Sequence, residues 1–322
     1  MRSAMKKFIQ KVFRHSSYLL GIFNVQEQLK RVLANQQRIL RQLSYIETSS
    51  NVDLVEHLKQ SSSYKQCAQT ISLLSPMDVI DGRYVRVGCD GDGGYVMLDQ
   101  FDGKQIDAAY SFGIGNNVSW DESIAEFGID VFMYDHSIVK LPKQNERFHF
   151  FRLGLTGHQK GENLRTMASI IAENGHIGNK NLILKMDIEG CEWDVFDESD
   201  PDLINQFSQI VLEFHGLSET VGADDHAKQI EILEKLNKSH QVVHVHANSA
   251  GYIEFAGPLT LPNLLEVTYV RRSDFVDMFS TNSRNFPTEL DSSTFPFLPD
   301  IPLNEFGSSI GKSVPENQES LP

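Results

Sequence analysis

Acids and histidines recur in this chain where an apolar run gives way to a turn. In Leu182-Ile-Leu-Lys-Met-Asp-Ile-Glu-Gly190 the run Leu182–Met186 ends in Asp187, Glu189 and Gly190, and a helix-like segment follows. Such a run has the composition of a strand buried on both faces of a sheet. Ligands of open α/β sheets bind beyond the carboxyl ends of the strands, so both acids are placed to face a site. An isolated D-x-E serves equally well to cap the next helix, where acids suit the dipole. Two further stretches supply company: Glu213-Phe-His215 and His244-Val-His-Ala-Asn248. In a strand, residues two apart share a face, which puts 213 with 215 and 244 with 246 and 248. Carboxylates with an imidazole can hold a divalent cation such as Mg²⁺ or Mn²⁺, or pair a general base with its orienting acid. Asp187, Glu213 and His215 are the catalytic candidates under either route, and the ligands under the first. As a direct base, an unperturbed His215 would lose activity below about pH 6.5. For any one of these histidines a satisfied structural role competes, while His149, His158 and His176 have no such company.

A second constellation lies upstream. Ala108–Phe112 runs into Gly113-Ile-Gly115-Asn-Asn117, and a helix pattern opens near Ser119. Glycines at 113 and 115 permit a tight turn and close backbone approach by a ligand, with Asn117 at the turn's exit. The third glycine of a dinucleotide fingerprint would fall at Val118, so a pyrophosphate on the helix N-terminus is disfavoured. Asp135 ends the next strand, 20 residues after Gly115. An acid there suits the two hydroxyls of a ribose.

The elements that must carry these residues alternate. Strand patterns occupy Ala108–Phe112, Val131–Tyr134, Phe148–Leu153, Leu182–Met186, Gln209–Phe214, Val242–His246 and Leu265–Val270. Helical patterns fill Ser119–Phe127, Leu164–Glu173, Trp193–Glu198 and His226–Lys238. The alternation predicts an α/β fold with a doubly wound, mostly parallel, seven-stranded sheet over residues 76–285. Only a Gly/Pro-containing connection joins the last two strands, which should pair antiparallel. Asp92-Gly-Gly-Tyr95 reads as a turn between two further strands and is placed to cover a ligand.

Composition bounds the rest. Residues 1–46 hold nine Lys/Arg against one acid, a surplus of eight positive charges, so the remainder carries −22 of a total of −14. An acidic body is a poor partner for nucleic acid. Three cysteines without a C-x-x-C fit a reducing, cytoplasmic setting with neither disulfide framework nor structural zinc. No stretch of 18 apolar residues exists to span a membrane. Residues 1–60 form a helical arm in this reading. Residues 5–23 interleave Phe8, Ile9, Val12 and Phe13 with Lys6, Lys7, Lys11 and Arg14, a basic amphipathic helix suited to the inner membrane face or to packing on protein. Val25, Leu29, Val32, Gln36, Ile39, Leu43 and Ile46 then keep a heptad spacing that suits homo-oligomerisation through 25–46, or an arm folded on the body. Ser/Asn-rich Glu47–Asp53 and Ser61–Ser63 read as a linker. Phe286–Pro322 reads as a Pro-rich strap that becomes disordered from about Gly307.

Taken together the blocks resemble the FkbM-type methyltransferases. The matching residues are Arg86-Val-Gly with Asp92-Gly-Gly-Tyr95, Tyr110-Ser-Phe-Gly-Ile-Gly115, Ser119-Trp-Asp121, Lys185-Met-Asp-Ile-Glu-Gly190 with Glu192-Trp193, Glu213-Phe-His215 and His244-Val-His-Ala-Asn248, spread over residues 80–300. The resemblance implies a class I, Rossmann-like domain. It also implies methyl transfer from S-adenosyl-L-methionine to oxygen, commonly a sugar hydroxyl of a glycan or glycosylated metabolite. Gly113, Gly115, Asn117, Asp135, Asp187 and Glu189 would then hold the cofactor, and Tyr95, His244, His246 and Asn248 the acceptor. Tyr134-Asp-His136 replaces the family's Phe-Asp-Pro, and Ser249 stands where a second Asn is common, which puts one acceptor contact in doubt. Two other readings compete: a nicotinamide-dependent sugar oxidoreductase, and a non-catalytic coiled-coil assembly protein of a glycan-synthesis complex.

Overall fold

The computed structural model describes residues 58–101, 106–158, 161–218, 226–256, 259–295 and 298–307. The heptads of 25–46 and the amphipathic run of 5–23 therefore lie outside the described residues, as does the tail beyond Gly307.

The seven expected strands form one sheet: β1 (Ala108–Phe112), β2 (Val131–Tyr134), β3 (Phe148–Phe151), β4 (Leu182–Met186), β5 (Phe207–Phe214), β6 (His240–Ala247) and β7 (Leu265–Arg271). Their order is β6-β7-β5-β4-β1-β2-β3. All neighbours run parallel except β7, which is antiparallel to both β5 and β6. A small hairpin, Ile253–Ala256 with Leu259–Pro262, sits in the connection from β6 to β7. Order reverses at β1, whose two neighbours β2 and β4 are reached by connections leaving in opposite directions, so a crevice opens past their carboxyl ends.

Alternation along the strands builds two cores. Tyr110, Phe112, Leu184, Met186, Leu212 and Phe214 face a helical layer: α1 (Ser62–Leu74), α3 (Met167–Glu173), α4 (Glu192–Glu198) and α5 (His226–Ser239). Ala109, Ile183 and Val211 face the other way, onto α2 (Ser119–Glu126) and the hairpin Tyr84–Val87 with Tyr95–Leu98. The sheet is thus wound by helices on one face, but half its second face is roofed by strands. Gln209 exchanges two hydrogen bonds with the Leu98 backbone, and the Thr268 hydroxyl donates to the Val96 carbonyl, pinning that roof.

Two boundaries differ from the sequence reading. Ser61–Ser63 is no linker: Ser61 caps α1 by accepting from the Tyr64 amide, and Cys67, Ile71 and Leu74 bury themselves in the helical core. The expected Leu164–Glu173 helix starts at Met167, because Thr166 caps it and Leu164–Arg165 pairs instead with Gly154–Leu155. The strap does cross the body: Leu303 and Phe306 are buried in the main core.

Candidate active site

The glycine turn closes against the tip of β4. Gly113 (φ +77°) packs so tightly that a Cβ there would lie 1.6 Å from the Asp187 carbonyl oxygen. Gly115 (φ +55°) has open space where its Cβ would be. Lys185 donates from Nζ to the Gly113 carbonyl at 2.8 Å, and its charge lies 5.8 Å from the Tyr95 ring centre. Asp135 reaches back under the turn: Oδ2 accepts from the Ile114 and Gly115 amides, both at 2.9 Å, and Oδ1 accepts from the Ser137 amide and hydroxyl at 2.7 and 2.6 Å. Burial alone would raise its pKa, but these hydrogen bonds outweigh burial and hold the carboxyl below the usual range. The sequence assigned Asp135 to ribose hydroxyls. Here its own chain fills its acceptor directions, so a ribose contact requires a donor to yield. Asn117 clasps two turns, donating to the Asp92 carbonyl at 2.6 Å and accepting from the Ser119 amide at 2.9 Å.

The opposite wall is the tip of β4. Asp187 donates its amide to the Phe112 carbonyl, and Glu189 (φ +58°) followed by Gly190 (φ +101°) turns the chain sharply into α4. A non-glycine residue in that left-handed region costs about 1–2 kcal/mol. Glu192 holds the turn, accepting from the Ile188 and Gly190 amides at 2.8 and 3.0 Å. Neither Asp187 nor Glu189 caps α4, whose N-cap Cys191 makes no side-chain capping bond. Glu192 closes the turn instead, and both acids stand toward His215. Glu192 Oε1 also lies 3.2 Å from His215 Nδ1, though poorly aligned for a hydrogen bond, and the Trp193 indole donates to the His215 carbonyl at 2.7 Å. His215 Nε2 lies 3.5 Å from Glu189 and 3.9 Å from Asp187.

Together Asp187, Glu213 and His215 bring one ligand atom each within 4.8 Å of the others. Burial would lower the pKa of His215, but Glu192 first, then Glu213 and Asp187, push it up to about 9. A direct-base route would therefore have its pH dependence moved up, from the roughly 6.5 expected for an isolated imidazole toward about 9. Burial, reinforced by Asp187 and Glu266, pushes Glu213 well above the carboxylate range.

Between the two walls lies a cavity of about 470 Å³, within the range of small-molecule sites. Gly113, Gly115, Asn117, Asp135, Asp187 and Glu189 all line it, which unites the expected cofactor set in one place. Asp92 and Gly93 line it as well, so the Asp92–Tyr95 turn forms part of its wall. Residues 105–242, from the approach to β1 through the start of β6, match the family model described as the methyltransferase FkbM domain. The chain carries an FkbM methyltransferase domain.

A methyltransferase domain of this kind implies a cofactor of the S-adenosylmethionine type, and the cavity of the FkbM domain fits one. It offers a glycine turn for close approach, acids at the strand tips and enough volume. No curated protein matches the chain. Among solved structures, one described as a candidate hemolysin from Streptococcus thermophilus is 10% identical over 69% of this chain and 77% of that one, with a TM-score of 0.30, too low to argue from.

The acceptor residues inferred from resemblance are placed differently. His244 Nε2 meets Asp291 at 2.8 Å, His246 lies between Glu266 (2.9 Å) and Asp300 (3.1 Å), and the Asn248 side chain accepts from the Thr294 hydroxyl at 2.8 Å. All three bind the strap or their own sheet in this structure, and none lines the cavity. Tyr95 is buried behind the site, its hydroxyl pushed well up by burial, Asp187 and Glu213. Sequence reasoning gave no individual role to Lys185 or Glu192. For Lys185 the signal was present, a charge inside an otherwise apolar strand. Asp121 of α2 is also fully buried, with Lys185 the largest influence opposing its desolvation.

Proposed function

We propose that this chain transfers the methyl group of S-adenosyl-L-methionine to a hydroxyl oxygen, with a sugar of a glycan or glycoconjugate as acceptor. The observation that carries the reading is the cavity itself. It opens where the sheet order reverses, between a glycine turn anchored by Lys185 and Asp135 and an acidic tip formed by Asp187 and Glu189. The cofactor supplies a methyl group made electrophilic by a sulfonium. Gly115 would leave room for its adenosine end to approach the backbone, Asp135 would accept from its ribose once a Ser137 or turn donor yields, and Asp187 with Glu189 would face its positive end.

Transfer to oxygen is favoured by what stands beside that tip. A sugar hydroxyl is a weak nucleophile and needs help to shed its proton. Glu213 and His215 stand on the adjacent strand within reach of Asp187. An acceptor oxygen that has lost its proton bonds to the methyl carbon as the carbon–sulfur bond breaks, and that electron pair stays on sulfur. The test has two stages. Calorimetry with S-adenosylhomocysteine on the full chain should show one site; no binding overturns the reading. Radiolabelled methyl should then pass to a hydroxyl of a sugar panel, located by mass spectrometry. Transfer to nitrogen or carbon acceptors alone would remove the oxygen assignment.

A further inference from the structure

We infer that Asp187, Glu213 and His215 form a divalent-cation site beside the cavity, which Asp187 alone of the three lines, and that the cation binds the acceptor as a vicinal diol. The inference rests on the methyl-transfer reading for the acceptor, but the site itself stands on geometry. Met186 of β4 pairs with Leu212 of β5, so Asp187 emerges beside Glu213, and His215 follows on the same side of β5. One ligand atom from each lies within 4.8 Å of the others. An ion held at about 2.1–2.3 Å from each would need ligands up to about 4.5 Å apart, a closure within side-chain adjustment.

An independent observation shows that something is owed here. Glu213 is 4% exposed, and its Oε1 has no hydrogen-bond partner among the described residues. A buried carboxyl oxygen without a partner is costly unless a donor or a positive charge meets it. Lys185 does not fill that role: its Nζ donates to the Gly113 carbonyl and makes no hydrogen bond to Glu213 Oε1. The imidazole is also oriented as a ligand would be. Glu192 stands behind Nδ1, Trp193 fixes the backbone, and Nε2 turns toward Asp187 and Glu189. A carboxylate behind a histidine is the usual support for one that binds metal. Two carboxylates and one imidazole suit Mn²⁺ or Mg²⁺ with open positions left for other oxygens. Two neighbouring hydroxyls of a sugar would fill two of those positions, and coordination lowers the hydroxyl pKa. The proton then leaves to water by way of Glu189, whose side chain is 89% exposed.

The test uses the full chain and Mn²⁺ alone, read by loss of the free-ion electron paramagnetic resonance signal. One Mn²⁺ per chain is expected, with affinity lowered about 10–100-fold in Glu213→Gln, His215→Asn and Glu192→Gln. His158→Ala, an exposed histidine paired with Glu198, should bind like the wild type. No uptake by the wild-type chain at millimolar Mn²⁺, or unchanged affinity in Glu213→Gln, overturns the site. Calorimetry with S-adenosylhomocysteine in chelator separates the two readings. If Mn²⁺ binds and the cofactor product does not, the cation site stands and methyl transfer falls. The reverse result removes the cation site alone.

Discussion

Asp135 accepts from two turn amides and from both donors of Ser137, so its removal acts on the shape of the glycine turn as well as on any ligand. Each hydrogen bond to a charged group contributes about 1.5–3 kcal/mol. Asp135→Ala is therefore expected to weaken S-adenosylhomocysteine binding by roughly 10–150-fold and to lower Tm together with it. Unchanged affinity by calorimetry, in a variant that still folds, would take Asp135 out of the site. The two glycines of the turn should part company in the same assay. Gly113→Ala places a methyl group 1.6 Å from the Asp187 carbonyl oxygen, a clash with backbone that neither tip can relieve cheaply. It should lose more than about 3 kcal/mol in denaturant titration, or fail to fold. Gly115→Ala meets nothing within 4 Å and pays only for its positive φ, about 1–2 kcal/mol. It should fold, and its main loss should be cofactor affinity, since the new methyl projects into the cavity. Equal stability losses in both variants would mean that the turn is not packed as described.

At the scale of elements, the strap is locked to the sheet through His246. Its Nδ1 faces Glu266 on β7 and its Nε2 faces Asp300 of the strap, with Asp291 close enough to add to the field. An imidazole flanked by carboxylates on both nitrogens is held as the cation. Burial opposes this, but Glu266 first, then Asp291 and Asp300, push its pKa up to about 9 from an ordinary 6.5. A folded pKa above the unfolded one means that the stabilisation is full below about pH 6.5 and is lost as pH rises through about 9. The shift corresponds to roughly 3 kcal/mol at most. Urea unfolding at pH 6.5 and 9.5 should show that loss, and His246→Asn should flatten a large part of it; an equal pH dependence in the variant would contradict the lock. The strap also marks where sequence stopped being informative. Alternation places His244, His246 and Asn248 on one face, and they do share it. What that face meets is decided by Asp291, Thr294 and Asp300, 46 to 54 residues away, and no local pattern encodes such pairings. The roof hairpin was legible only at its Asp92–Tyr95 turn, because strands of four residues carry too short a period to read. By contrast Leu182–Met186 and the glycine turn were plain, since a doubly buried strand and a turn needing positive φ each restrict composition sharply. Lys185 shows the limit within a well-read strand: its burial depends on a carbonyl brought in by a different strand.

At the scale of the whole molecule, charge divides the chain. The first 46 residues carry a surplus of eight positive charges, while the remainder carries −22. The compact unit holding every site residue begins at Leu58, and among the described residues no helix is long and apolar enough to cross a membrane. Deleting residues 1–57 should therefore leave S-adenosylhomocysteine affinity within about twofold, because nothing that lines the cavity is removed. If the heptads of 25–46 drive self-association, the same deletion should convert an oligomer to a monomer by light scattering. An unchanged mass in units of chains would return that segment to the role of an arm packed on protein. Membrane contact is a separate matter, since an acidic body is repelled by an anionic surface that attracts the arm. Arg2, Lys6, Lys7, Lys11 and Arg14 each add about 1 kcal/mol near such a surface. The full chain should float with anionic vesicles at low ionic strength and release as salt shortens the Debye length below about 8 Å, above 0.15 M. The 58–322 fragment should stay with the soluble fraction at every salt concentration. Flotation of both, or of neither, would leave the basic amphipathic segment to pack on protein.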